Sequence, residues 1–440
     1  MRIDTLRLKD FRGFDTFELS LHPEFNLLVG ENGSGKTSIL EALTVAAGAF
    51  LLGIHGEDSR PLREEDIRIV AKEGIWERQP QCIVAASGEV KHQPLTWSRE
   101  LRPGGRTTSK NAHAIKRIAA SLEAEVRQHT QDILPLISSY GVGRLVDVPR
   151  AQTKLADDDL LGTTALSRVY GYRTSVDPRI PVNELLRWFK TEELRALQKK
   201  ERSATYEAAR TAILGCMDDA TDIAFDLDQL QVVVTFAKTG QRLFPHLSAG
   251  QQIMLTLVAD IARKAATLNR HLGEHVLRET PGIVLIDELD LHLHPQWQRR
   301  VIEDLRRTFP KLQFVCTTHS PFLIQSLRSG EELHVLGGQP FATLGNKSID
   351  MIARGIQGIE RPEASDQYAT EKAAARSYLE LLDEAALAPA EKLEAYKNKL
   401  AEGRELFADN PAVQAILEMK RVAKLGEFSD PALRRDETKK

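Results

Sequence analysis

Phe25-Asn-Leu-Leu-Val-Gly30-Glu-Asn-Gly-Ser-Gly35-Lys36-Thr37 is a short apolar run that breaks into a glycine-rich turn, and Ser38-Ile-Leu-Glu-Ala-Leu-Thr-Val-Ala-Ala follows it directly. Residues 25–29 have the length and apolar content of a buried strand, and residues 38–47 read as a buried helix. Gly30, four residues, then Gly35-Lys36-Thr37 fits the pattern of a phosphate-binding loop. The chemistry follows from the order strand, loop, helix. Glycines let backbone amides curl around phosphates, and a helix opening at Gly35 adds its positive dipole end. Lys36 is expected to reach the β- and γ-phosphates and Thr37 to offer a hydroxyl to Mg²⁺. The expected nucleotide contacts are Gly30, Asn32, Gly33, Ser34, Gly35, Lys36, Thr37 and Ser38.

Outward from this loop, Ile3, Leu6, Leu8 and then Phe17, Leu19, Leu21 are spaced as half-buried strands. Residues 83–86 and 95–97 read as strands, residues 111–130 as an amphipathic helix, and residues 134–141 as a buried strand ending in a glycine turn. Residues 183–217 read as helices, and Gln231-Val-Val-Val-Thr-Phe236 as a β-branched strand. From Leu247 the pattern alternates helix 253–268, strand 282–286, helix 296–309, strand 313–317 and a helix from Pro321, which predicts a mainly parallel sheet. Residues 366–386, 390–407 and 411–425 read as three helices, with Leu393, Tyr396 and Leu400 on one face and prolines near two of the starts.

Gly282-Ile-Val-Leu-Ile286 runs into Asp287-Glu288. Phosphoryl transfer needs a metal and an oriented water, so Asp287 is expected on Mg²⁺ and Glu288 on the attacking water. Leu247-Ser248-Ala249-Gly250-Gln251-Gln252 precedes the 253–268 helix, where Ser248 is a candidate cap. Thr317-Thr318-His319-Ser320-Pro321 closes the next strand.

The chain has 440 residues, 42% hydrophobic and 28% charged, as in an ordinary globular protein of two to four units. Cys82, Cys216 and Cys316 are too few for a disulfide frame or a four-cysteine zinc site and fit a reducing, cytoplasmic setting. A net charge of −3 argues against a protein that coats nucleic acid and leaves DNA contact to a local patch or a partner. The opening residues lack an apolar signal core, and no apolar stretch is long enough to span a membrane, so no membrane association is expected.

Leu247–Gln252 resembles the Leu-Ser-Gly-Gly-Gln signature of ABC-type ATPases, and the phosphate loop, signature, acidic strand end and His319 stand in the order of that family. Lys9-Asp-Phe-Arg-Gly-Phe14 resembles the opening of RecF-like and SMC-like proteins, and Asp287-Glu-Leu-Asp-Leu-His-Leu-His-Pro295 the block of RecF-like and OLD-type ATPases. Leu134-Pro-Leu-Ile-Ser-Ser-Tyr-Gly-Val-Gly-Arg144, Gly171-Tyr-Arg173, Trp188-Phe189 and the C-terminal helices with Asp409-Asn-Pro411 resemble the AAA-family ATPases called PtuA-like, of Septu anti-phage systems and some retrons. This resemblance implies an α/β ABC-ATPase head with a mixed, mainly parallel sheet, a helical insertion and an all-helical tail. Its division is expected at 1–145 (phosphate-loop lobe), 146–230 (insertion), 231–345 (signature lobe) and 346–440 (partner-binding helices).

The resemblance also implies ATP and Mg²⁺ as ligands, with Lys36, Glu288 and His319 catalytic and Thr37 and Asp287 on the metal. The Ser248–Gly250 signature would close on the nucleotide of a second protomer, giving a homodimer or higher homo-oligomer, and Gln251 and the D-loop residue Asp290 are further expected nucleotide contacts. A separate HNH-type nuclease is the expected partner in anti-phage defence. Alternatives are a RecF-like DNA-repair ATPase and an ATP-binding scaffold with little turnover. Residues 340–440 show no Toprim-like acidic pair, which disfavours OLD itself. A Q-loop glutamine is not evident, and Ser139-Tyr140 occupies the place where one is sought. Asp157-Asp-Asp159, His292 with His294 and Lys199-Lys-Glu-Arg202 read as a solvated loop, packing histidines and a solvated helix face. Arg12 is open between nucleotide and surface roles, and residues 102–110 read as an exposed loop with DNA contact as the alternative.

Overall fold

The computed structural model describes residues 1–128, 130–144, 168–337, 348–355, 366–405, 407 and 411–425. Asp157-Asp-Asp159 lies outside them. The chain divides into two compact units, residues 1–358 and 359–440.

Five strands form the central sheet of the first unit, in the order Leu333–Leu336, Phe25–Gly30, Leu312–Thr317, Gly282–Ile286 and Leu136–Tyr140. Every pairing in it is parallel. Three inner strands are buried almost throughout, because helices and a second sheet cover both faces. The antiparallel pairings are confined to other sheets. Phe14–Ser20, Arg2–Phe11, Cys82–Val90 and Gln93–Leu101 form a four-stranded sheet, and Gly240–Leu243, Gln231–Phe236 and Ala220–Asp226 a three-stranded one.

Helix Lys36–Leu51 lies between the central and the four-stranded sheets. Trp97 Nε1 donates to the Ala46 carbonyl at 2.9 Å on one side, and Thr44 and Ser139 hydroxyls meet at 3.0 Å on the other. The helix is apolar around most of its circumference because both flanks are covered: Ile39, Leu43, Val45 and Phe50 are fully buried. Each such side chain contributes about 1.5–3 kcal/mol of transfer free energy. Gln313 ties the two sheets together, accepting from the Ile3 amide at 2.9 Å and donating to its carbonyl at 2.8 Å.

The 183–217 region forms two helices, Val182–Lys199 and Ala204–Cys216, with Ser203 capping the second. Trp188, Phe189 and Tyr206 pack edge to face between them. The helix expected at 296–309 is interrupted: Pro295–Gln298 and Val301–Thr308 are separate, with Arg300 turned toward Asp304 and the Gly215 carbonyl. Residues 134 and 135 stand outside the expected strand, because Asn269 holds Leu134 through both its amide and its carbonyl. In the second unit, helices Asp366–Leu387, Ala390–Glu405 and Pro411–Leu425 share a small core of Tyr378, Leu382, Ala385, Leu400, Phe407 and Leu417. Tyr396 packs against that core with Leu400, whereas the Leu393 side chain lies outside the described residues.

Candidate nucleotide site

The loop at residues 30–37 crosses from the end of the Phe25–Gly30 strand to the first turn of Lys36–Leu51. Gly33 and Gly35 have φ of +83° and +97°, left-handed values that a side chain resists. Gly35 is also packed tightly, since an added Cβ would lie 2.5 Å from the Phe14 ring. Helix Lys36–Leu51 has no side-chain cap at Gly35, so its first amides are open to a ligand. Ser34 Oγ is buried and has no hydrogen-bond partner among the described residues. Uncapped amides and an orphaned hydroxyl facing one loop fit a nucleotide's phosphates. Lys36 is only 7% exposed, and its ammonium donates to the Gly30 carbonyl at 2.7 Å and the Glu31 carbonyl at 3.0 Å. Burial lowers its pKa, against the pull of Asp287, Glu288 and Asp290.

The parallel sheet brings the acidic strand end beside this loop. Thr37 Oγ1 donates to Asp287 Oδ2 at 3.0 Å, and Thr317 Oγ1 donates to Asp287 Oδ1 at 2.5 Å. The Asp287 amide donates to the Tyr140 carbonyl at 2.8 Å. Glu288 is a non-glycine residue at φ +48°, and its amide donates to Thr317 Oγ1 at 2.7 Å. Such a backbone costs about 1–3 kcal/mol and persists where surrounding bonds over-determine it. Asp290 accepts from Thr318 Oγ1 at 2.5 Å, and Thr318 Oγ1 in turn accepts from the Ser320 amide. His319, exposed between them, lies on the same strand end. The structure therefore gathers Lys36, Thr37, Asp287, Glu288, Asp290 and the 317–320 segment. The Thr37 hydroxyl and Asp287 carboxylate together suit a hard cation bound through oxygen.

Arg144, the last residue of the 134–144 block, is a site residue that the sequence pattern does not single out. Arg144 is fully buried, and its guanidinium donates to the carbonyls of Asp287 at 2.7 Å and Glu288 at 2.8 Å. An arginine three residues past a glycine that ends a buried strand was the available signal. Tyr140 is not a coupling amide. Its hydroxyl donates to Asp260 at 2.8 Å, inside a buried group with Arg263, Lys264 and Ser138. Asp260 stays strongly acidic: burial opposes the charged form, and Lys264 and Arg263 outweigh it.

Among the described residues the signature forms no hydrogen bond to this cluster. Ser248 and Gln251 form a capping box, with the Ser248 hydroxyl accepting from the Gln251 amide at 3.3 Å and Gln251 Oε1 accepting from the Ser248 amide at 2.9 Å. Gly250 closes on the loop after the acidic strand: an added Cβ would lie 2.7 Å from the His292 carbonyl. Among the described residues no hydrogen bond or ion pair joins Ser248, Gly250 or Gln251 to residues 30–38.

Arg12 faces acids, with Nε donating to Asp66 at 2.9 Å and Nη2 lying 3.5 Å from Glu41. His294 caps helix Pro295–Gln298, accepting from the Gln296 amide at 3.3 Å. Arg202 of the 199–202 run pairs with Glu193 and Glu207. Among the described residues no group of three or more His, Cys, Asp or Glu side chains is placed to hold a metal, and no helix is long and apolar enough to cross a membrane.

A family model described as an AAA domain matches residues 5–219, and a second, described as an AAA domain, putative AbiEii toxin, Type IV TA system, matches residues 170–325. The retron Vc95 probable ATPase of Vibrio cholerae serotype O1 biovar El Tor is 26% identical over 391 residues, covering 76% of this chain and 73% of the relative. The Septu protein PtuA of Bacillus thuringiensis is 24% identical over 358 residues, covering 81% of each chain. Among solved structures, the SMC head domain from Thermotoga maritima aligns with a TM-score of 0.42 at 15% identity, over 76% of this chain and 94% of that one.

Proposed function

We propose that this chain, an AAA-domain ATPase homologous to the retron ATPases and Septu PtuA, hydrolyses ATP in a head-to-tail dimer whose assembly controls an effector. The observation that carries the reading is the division of the site. One protomer gathers the phosphate loop, Asp287, Glu288 and the 317–320 segment, while among the described residues its own signature has no hydrogen bond or ion pair to residues 30–38. A second copy would supply Ser248, Gly250 and Gln251, with Asp290 at the junction.

Within the site, Lys36 leaves its two loop carbonyls for the phosphates, and the Gly33–Ser38 amides orient them. Thr37 and Asp287 would hold Mg²⁺, which when bound neutralises phosphate charge. Glu288 orients the attacking water and takes its proton, and His319 faces the terminal phosphate. Glu288→Gln tests this: it should abolish turnover and hold the protein as a nucleotide-bound dimer, read by light scattering with and without MgATP. A variant that stays monomeric with wild-type turnover would overturn the proposal. The retron and Septu names of the relatives support a defence setting for the ATPase, and the separate HNH-type nuclease partner is our own reading, from the resemblance of the sequence to PtuA-like ATPases. Co-purification with such a nuclease encoded beside this chain tests that part.

One observation favours a second reading, in which the chain contacts DNA by itself. Arg102, Arg106, Lys110, Lys116 and Arg117 are exposed, and no acidic residue stands between Leu101 and Leu122. Among the described residues none of the five side chains forms an ion pair. Binding of duplex DNA by purified protein, lost when the five are changed to glutamine and weakened steeply by salt, would establish it.

A further inference from the structure

Arg144 follows strand Leu136–Tyr140, which borders Gly282–Ile286 on the edge opposite Leu312–Thr317. Strand Gly282–Ile286 stops one residue before Asp287, so the carbonyls of Asp287 and Glu288 lie beyond the sheet ladder. Both accept from one guanidinium, through Nη1 at 2.7 Å and Nη2 at 2.8 Å, and Nη1 also reaches the Gly141 carbonyl at 3.2 Å. The planar fork of arginine is suited to bridging two adjacent oxygens, which a lysine ammonium does less well. The Glu288 peptide is thereby gripped on both sides, by Thr317 Oγ1 at its amide and by Arg144 at its carbonyl. Those grips hold Glu288 at φ +48°, a backbone that sets where its carboxylate points.

Arg144 Nε is buried with no partner among the described residues, and burial lowers the pKa of the guanidinium while Asp287, Asp290 and Glu288 counter it. A fully buried cation with an unsatisfied donor is costly to the fold, so its presence here points to a task beyond packing. The geometry points to Arg144 as a positioning residue for hydrolysis: it fixes the Glu288 main chain so that the carboxylate meets the water, without touching the nucleotide. This rests on the reading of Glu288 given above.

The test compares Arg144→Met, Arg144→Lys and Arg144→Ala with Glu288→Gln in the full chain, by kcat, KM and binding of a fluorescent ATP analogue. Arg144→Met should lower kcat about 10- to 100-fold, the scale on which misplacing a reacting group acts, with analogue affinity nearly unchanged. Millimolar methylguanidine should restore part of the lost turnover to Arg144→Ala and none to Glu288→Gln. Adding Arg144→Met to Glu288→Gln should cause no further loss, because both act through one carboxylate. Equal loss of affinity, thermal stability and turnover in Arg144→Met and Arg144→Ala, with no rescue, would make Arg144 a packing residue and overturn the inference. Wild-type turnover in Arg144→Met beside an inactive Glu288→Gln would overturn it alone. An active Glu288→Gln would overturn the reading of Glu288 and this inference with it.

Discussion

The Thr37 hydroxyl donates to the Asp287 carboxylate across 3.0 Å, joining residues 250 positions apart in the chain. One belongs to the first turn after the phosphate loop and the other to the end of a strand two places away in the sheet. Their contact places the hydroxyl and the carboxylate that together suit Mg²⁺.

Asp287→Asn keeps the shape and removes the charge. ATP hydrolysis should fall about 10²- to 10³-fold, since neutralisation of developing charge is commonly the largest catalytic contribution. The fall should be visible as a weakened Mg²⁺ dependence in steady-state assays, with the thermal midpoint close to wild type. An unchanged Mg²⁺ titration would place the metal elsewhere.

Gly35 and Gly33 both have left-handed backbones, but only Gly35 is crowded. Alanine at Gly33 meets nothing within 4 Å and should cost about 1–2 kcal/mol, from backbone strain alone. Alanine at Gly35 must also displace Phe14 and should cost about 1–3 kcal/mol more. Urea unfolding of the two variants separates the effects, and equal costs would show that the Phe14 ring yields freely.

His334 gives the fold a pH dependence. Its strand, Leu333–Leu336, borders the phosphate-loop strand, and its Nε2 lies 2.9 Å from Asn26 Oδ1. Burial, assisted by His22, lowers its pKa from the ordinary 6.5 to about 4. Between those values the unfolded chain binds a proton that the folded chain does not. This contribution to stability is therefore complete above pH 6.5 and is lost as pH falls toward 4. Urea midpoints should drop between pH values of about 7.5 and 5, by about 1–3 kcal/mol of stability. The drop should be smaller in His334→Gln. Identical pH profiles for variant and wild type would assign the acid lability to other groups.

Much of the site was legible in the sequence because its parts are local. A strand, a glycine turn and a helix start within residues 25–47 need only neighbours along the chain to declare a phosphate loop. The same holds for Ser248 with Gln251, three residues apart in a capping box, and for the apolar strand ending at Asp287-Glu288. The chain by itself thus determined which residue types would do the chemistry and which short segments would carry them.

Tertiary structure decided how those segments meet. Parallel strands are joined by long crossovers, so local pattern does not specify that Leu312–Thr317 lies between Phe25–Gly30 and Gly282–Ile286, or that Leu136–Tyr140 borders the last. That order alone puts Thr317 on Asp287 and Glu288, and Arg144 behind both. The turn of Arg300 to the Gly215 carbonyl at the helix break before Val301 and the closure of Gly250 on His292 are likewise contacts made only in the folded chain. Each depends on hydrogen bonds or close packing between groups remote in sequence. A buried polar group must find such a partner in space, whatever the distance along the chain.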